Sequence, residues 1–340
     1  MVYLYQHTFL QGAALTIHFA RAGLSLLGTL SAPTLPDFLT TNPLPNGYPW
    51  STATAATTNP YEQSPTTGVI RSYDFTITRG FLAPDGVNKS VLLVNNQFPS
   101  PKLEANWGDT FQITVHNQIT GPEEGTALHW HGILQRQTPW FDGVPSVQQC
   151  PIAPGKSLTY TFKADLYGTS WYHSHYSAQY AGGLFGPMII YGPKNAPYDI
   201  DVGPVILSDW YHDEYFSIVE KVVGLPPSPP PRSNNNLING KMDYDCSLVT
   251  NGQQCTPNAG ISIFKFTAGK THRLRLINAG AEGIQRFTID NHTMTVIAND
   301  FVPVKPYQTN VVTLGVSDRR VRLNQILIVR HRLANVPTSL

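Results

Sequence analysis

Short segments of strict two-residue alternation, separated by tight turns, constrain this chain more than any other feature. Tyr73, Phe75 and Ile77 alternate with polar residues across 71–79. Phe111, Ile113 and Val115 do so across 110–117, and Leu158, Tyr160 and Phe162 across 157–163. Residues i and i+2 of a strand share a face, so each segment predicts a strand with one face in a core and one toward solvent. Apolar runs at 91–94 and 188–191 predict strands buried more deeply. Pro84-Asp85-Gly86, Trp107-Gly108-Asp109 and Pro154-Gly155 supply the turns between them. Many short strands at this spacing define a β-sandwich.

A second block follows, with strands expected at 205–210, 261–266, 272–277, 287–289, 293–298 and 310–314. One helix is expected at 212–223, with Asp213 and Glu214 favourably placed at its N-terminus. Gly224 and the proline-rich 226–231 end it. The expected organisation is a leader and flexible segment at 1–66, one sandwich at 67–192, a linker at 193–202 and a second, incomplete sandwich at 203–318. From Arg319 onward there are five arginines and no acidic residue. Residues 319–340 therefore read as an atypical basic tail, foreign to the rest of the fold rather than built for nucleic acid or lipid.

Charged residues make up only 13% of the 340 positions and the net charge is +1, so no nucleic-acid partner is expected. Arg21, the apolar 24–30 and the small Ser31-Ala32 follow the order of a signal peptide. With the sequons at Asn88 and Asn291, this points to a secreted glycoprotein. No stretch reaches the roughly 18 apolar residues of a membrane span, so no membrane partner is expected. Cys246 and Cys255 flank the turn dipeptide Asn251-Gly252 and could close a small disulfide loop, contributing about 2.5–3 kcal/mol. Cys150 is then the odd cysteine: a free thiol, an intermolecular bond, or one half of a pair completed outside these residues.

The chemistry-bearing residues are His129-Trp130-His131 and His173-Ser174-His175. Two imidazoles at i and i+2 of a strand lie about 6.5–7 Å apart, which suits one ligand on each of two neighbouring ions. Neutral imidazole favours copper, zinc, iron or nickel, with copper bound most tightly. His116 and His272 are expected on strand surfaces, His212 at the helix start and His292 in a turn, none of them as a ligand.

The segments His129-Trp-His-Gly-Ile and Gly168-Thr-Ser-Trp-Tyr-His-Ser-His175, with 183–190 after them, resemble the first two copper motifs of laccases and related multicopper oxidases. Residues 140–144, 149–152, 208–212 and 237–240 add to the likeness, which runs over about 68–316 and is closest to the ascomycete fungal branch. The resemblance implies an all-β fold of tandem cupredoxin-like (plastocyanin-like) domains. It also implies an enzyme that oxidises phenolic or related small aromatic substrates and reduces dioxygen to water. By the same resemblance His129 would bind the type 2 copper, His131 and His173 one type 3 copper, and His175 the other. Asp142 matches an acidic residue near the type 2 copper that assists proton delivery, and is otherwise a turn former before Gly143.

The family's remaining motifs, a His-x-x-His-x-His and a His-Cys-His segment, do not occur among these 340 residues. The expectation is therefore half of a type 2/type 3 cluster, no type 1 site, and a chain inactive on its own. A non-enzymatic copper-binding homologue and an ascorbate- or iron-oxidising relative are the alternatives. Relatives place a carboxylate shortly before the Leu-Ile-Asn-Gly turn, where this chain has Asn234, Asn235 and Asn236, so their substrate preference does not carry over.

Overall fold

The computed structural model describes residue 50 and residues 53–316 apart from 227 and 230, with the backbone of strands at 2–8, 13–19 and 324–330. The signal-like stretch at 21–32 lies outside the described residues. Strands β1 (Val2–Thr8) and β2 (Ala13–Phe19) come first. Then come β3 (Ile70–Leu82), β4 (Lys89–Val94), β5 (Leu103–Asn106), β6 (Thr110–Asn117), β7 (Leu128–Trp130), β8 (Ser157–Lys163), β9 (Gly168–Ser174) and β10 (Phe185–Tyr191). After β11 (Ile200–Trp210) and helix α1 (Tyr215–Val223) follow β12 (Asn235–Ile238), β13 (Ile263–Phe264), β14 (Thr271–Asn278) and β15 (Gln285–Ile289). The last are β16 (Met294–Asn299), β17 (Val302–Thr309), β18 (Val312–Leu314) and β19 (Asn324–Arg330).

The first sandwich packs the sheet β4-β3-β6-β8 on the sheet β5-β10-β9-β7. Its core holds the inward residues that the alternation marks: Phe75, Ile77, Phe111, Ile113, Val115, Tyr160 and Phe162 are all buried, with Tyr73 and Leu158 packed at the edge. The second unit pairs a six-stranded sheet, β12-β11-β14-β19-β16-β17, with a five-stranded one, β13-β1-β2-β15-β18. Its core includes Val205, Leu207, Leu276, Phe287 and Val296.

Several expectations need correction. Residues 2–8 and 13–19, assigned to the leader, pair with β13 and β15. Residues 324–330, assigned to the tail, run between β14 and β16. The uninterrupted Ile326-Leu-Ile-Val329 is strand-like by composition, and the surrounding arginines concealed it. Strand β11 begins inside the expected linker. The helix starts at Tyr215 rather than at 212, with Glu214 extended as its N-cap. His212 is therefore no helix residue: it is buried, with Nε2 2.8 Å from Asp85 Oδ2. His272 is not on a surface but fully buried, because β14 is an interior strand covered on both faces. His116 sits on the half-exposed face of β6, beside Ser157 and Asp74. His292 follows the turn at 290–291.

The two units meet along a seam with an apolar and a polar part. Trp171 and Phe185 of the first pack on Ile206, Ile277 and Ala279 of the second. Beside them Arg275 is fully buried. It grips both carboxylate oxygens of Asp201 and donates from Nη1 to Thr169 Oγ1 at 2.7 Å. Burial alone would raise the Asp201 carboxyl, but Arg275 and Arg273 outweigh it and hold it below its ordinary value. Lys89 crosses the seam to the carbonyls of Tyr211 and Asp213, with its ammonium over the Trp210 ring. The hairpin joining β16 to β17 reaches furthest: Phe301 leaves its own sheet and joins the core of the first sandwich.

Removing Arg275 leaves Asp201 buried with only the more distant Arg273, 3.9 Å away, to offset its charge. Arg275→Met is expected to lower the unfolding free energy by about 3–5 kcal/mol in a denaturant titration. Lys221→Met, at an exposed pair with Asp213, should change it by less than about 0.5 kcal/mol.

Candidate metal centre

Strands β7 and β9 pair antiparallel, and the register sets His129 directly opposite His173. Leu128 and Trp130, on the other face of β7, are buried in the first core, as is Tyr172 on β9. Their burial forces His129 and His173 onto the face that looks away from that core. His131 and His175 continue the same face just beyond the strand ends, held by His131 N to Trp171 O (3.1 Å) and His175 N to Ala127 O (3.2 Å). The result is a cluster of four imidazoles. Ring centres lie 5.6, 5.4 and 5.5 Å from His129 to His131, His173 and His175, and 5.8 Å from His173 to His131 and to His175. Ligand atoms of His129, His131 and His173 come within 4.8 Å of one another.

Hydrogen bonds set the tautomers. Nδ1–H of His129 donates to the carbonyl of Asp142 at 2.6 Å, and Nδ1–H of His173 to the carbonyl of Ser174 at 2.9 Å. Each leaves its Nε2 lone pair free for a metal. His131 differs: its Nδ1 is buried with no hydrogen-bond partner. An orphaned ring nitrogen beside two other imidazoles fits the binding of a cation. Trp171 stacks on His173 with 4.2 Å between ring centres, and Tyr180 meets the same ring edge-on at 5.6 Å. Burial, with His129 and His175 beside it, pushes the His131 pKa down to about 4. Burial followed by His129 and His131 pushes His173 well below its ordinary value. Both rings are thus neutral near pH 7, the form that binds a metal.

Asp142 does lie beside His129, but its carboxylate is the more distant partner: Oδ1 is 3.4 Å from Nδ1, against 2.6 Å for its own carbonyl. The other carboxylate oxygen accepts from Gln148 at 3.4 Å. The residue that permits this contact is Gly143, which sequence reasoning missed. At φ +85° any Cβ there would lie 1.8 Å from the Leu128 carbonyl, so only glycine lets the loop press against β7. The Asp-Gly dipeptide carried that signal but read only as a turn. Ser170, also missed, donates from its hydroxyl to the His131 carbonyl at 2.7 Å.

The other sites lie elsewhere. Cys246 and Cys255 form the expected disulfide, with Cα atoms 5.6 Å apart. Cys150 is exposed and unpaired. Asn88 is half-buried and Asn291 exposed at a turn. Asn234, Asn235 and Asn236 all make side-chain hydrogen bonds, with His212 N, Asp85 and Gln285 respectively, although Asn234 itself is exposed. Among the described residues no helix is long and apolar enough to cross a membrane.

Two multicopper oxidase family models match the chain, one over residues 76–195 and one over 201–320. The chain belongs to the multicopper oxidase family, and its fold is that family's tandem cupredoxin-like β-sandwich. It is 43% identical over 310 residues to Laccase-2 of Botryotinia fuckeliana, covering 90% of this chain and 52% of that protein. Dihydrogeodin oxidase of Aspergillus terreus is 44% identical over 252 residues, covering 74% and 41%. The solved laccase of Botrytis aclada matches with a TM-score of 0.71 at 43% identity, over 82% of this chain and 49% of that one. The chain thus spans about half the length of the curated relatives it matches.

Substituting Gly143→Ala should force the loop off β7, deprive His129 of its carbonyl partner and weaken Cu(II) binding about 10–100-fold in a chelator competition. In the metal-free protein the unfolded chain takes up protons on histidines near pH 6.5, while His131 resists them to about pH 4. Stability should therefore fall as pH drops through that window, and the fall should be shallower in His131→Asn, as read by thermal melts.

Proposed function

We propose that His129, His131, His173 and His175 furnish part of the type 2/type 3 copper cluster of a secreted, laccase-type oxidase. Its electron donors would be phenolic or related small aromatic compounds and its acceptor dioxygen. The observation that carries this reading is the orphaned, buried Nδ1 of His131, whose ring lies with those of His129 and His173 close enough to share an ion. Membership of the family supplies the metal's identity, and the names of the relatives supply the substrate class. Bound there, copper would contribute one-electron redox chemistry toward dioxygen.

What the chain's own residues do follows from their contacts. The Asp142 carbonyl and the Ser174 carbonyl hold protons on Nδ1 of His129 and His173, which orients each ring and raises its basicity as a ligand. Trp171 and Tyr180 exclude water from one side of His173. The Asp142 carboxylate, near His129 and Gln148 and partly exposed, is placed to pass a proton between solvent and the cluster. No cysteine neighbours a histidine in these residues, so the electron-entry copper would have to be held by residues outside them.

The 340-residue chain, expressed alone, is expected to bind Cu(II) in isothermal titration, and to lose most of that binding in His129→Asn/His173→Asn. It should show no intense blue absorption and no oxygen uptake with hydroquinone. Absence of Cu(II) binding would overturn the cluster assignment. Rapid hydroquinone oxidation would overturn the division of the copper sites.

A further inference from the structure

We infer that the β16–β17 hairpin of the second sandwich positions the copper ligands of the first, with Phe301 as the positioning residue. This rests on the reading of the four histidines as ligands, but its grounds are separate contacts. Phe301 is 2% exposed and lies in the core of the first sandwich, although both strands flanking it belong to the second. Its ring covers Gly132, the residue after His131. Gly132 has φ +83°, and a Cβ there would lie 3.0 Å from Phe301 Cε2.

The same hairpin holds the other ligand strand. The carbonyl of Asp300 accepts from Thr169 N at 3.3 Å, and a Cβ on Gly168 would lie 2.3 Å from that oxygen. Arg275, also of the second sandwich, grips Thr169 through its hydroxyl. Between these two anchor points Ser170 donates to the His131 carbonyl, and Trp171 O accepts from His131 N. The hairpin therefore touches both ligand segments at once: β9 four and five residues before His173, and the His131-Gly132 bend. Neither segment can shift against the other without losing a contact to Asp300 or Phe301. The second sandwich thus fixes the separation of His131 from His173, as well as covering the first.

The test compares Phe301→Ala with Phe287→Ala, a large buried residue of the second sandwich's own core. Two properties are read on each 340-residue chain: Cu(II) loss to a chelator, and the imidazole NMR shifts of His131 and His173 without metal. Both variants should lower the melting temperature. Only Phe301→Ala should move the imidazole shifts and speed copper loss by about tenfold or more, and Phe301→Leu should recover most of the retention. If Phe301→Ala does not fold, the milder Phe301→Val should move the same shifts in the same direction. Equal behaviour of Phe301→Ala and Phe287→Ala, or unmoved shifts in Phe301→Val, would overturn the inference. Should the parent chain bind no copper, the metal-free shifts still decide the positioning role, while the ligand reading fails on its own.

Discussion

Strand β9 has no solvent face, and the rest of the molecule is arranged around that fact. All seven of its residues are buried. One face, through Tyr172, fills the first core, while the other, through Trp171 and His173, meets the seam. A one-residue slip of β9 against β7 would turn Tyr172 outward and drive His173 into the hydrocarbon core. The cost of exposing that large aromatic, about 1.5–3 kcal/mol, and of burying an imidazole without a partner fixes the register. The geometry of the metal centre is therefore set by hydrophobic packing before any metal arrives.

That preorganisation has an electrostatic side. Burial and the neighbouring imidazoles disfavour the charged form of His131 and His173. Those two rings are held neutral and need lose no proton on taking up a cation near pH 7. Elsewhere the seam accepts full charges, but only with partners. Arg275 has Asp201, and Lys89 has two carbonyls and an indole face. The seam is apolar at Trp171 and polar on either side of it, at Thr169 and at Lys89.

Much of this was legible in the sequence, for a physical reason. Alternation is a direct imprint of one-sided burial, so β3, β6 and β8 could be read nearly to their ends. The paired His-x-His segments carried the site because strand geometry makes i and i+2 neighbours on one face. Contacts that close through space were not legible. Nothing local marks Phe301 as belonging to the other sandwich's core, or Gly143 as the spacer that lets Asp142 reach His129 by its carbonyl. His272 and His212 misled because a histidine in a strand or near a helix reads as exposed unless its partners are known. Strand β19 was obscured by flanking arginines, whose charge dominates composition but says little about the four apolar residues between them.

The contacts between Asp85 and His212, and between Thr169 and Arg275, join positions 127 and 106 residues apart. Each is buried, so replacing one member costs the other a hydrogen bond that water cannot restore. Such pairs can drift only together, and a recombination event that brought in one sandwich from a divergent gene would mismatch several of them at once. The seam therefore makes the two sandwiches a single unit of inheritance: a lineage can exchange surface loops freely, but it must pass on this pair of domains as one block.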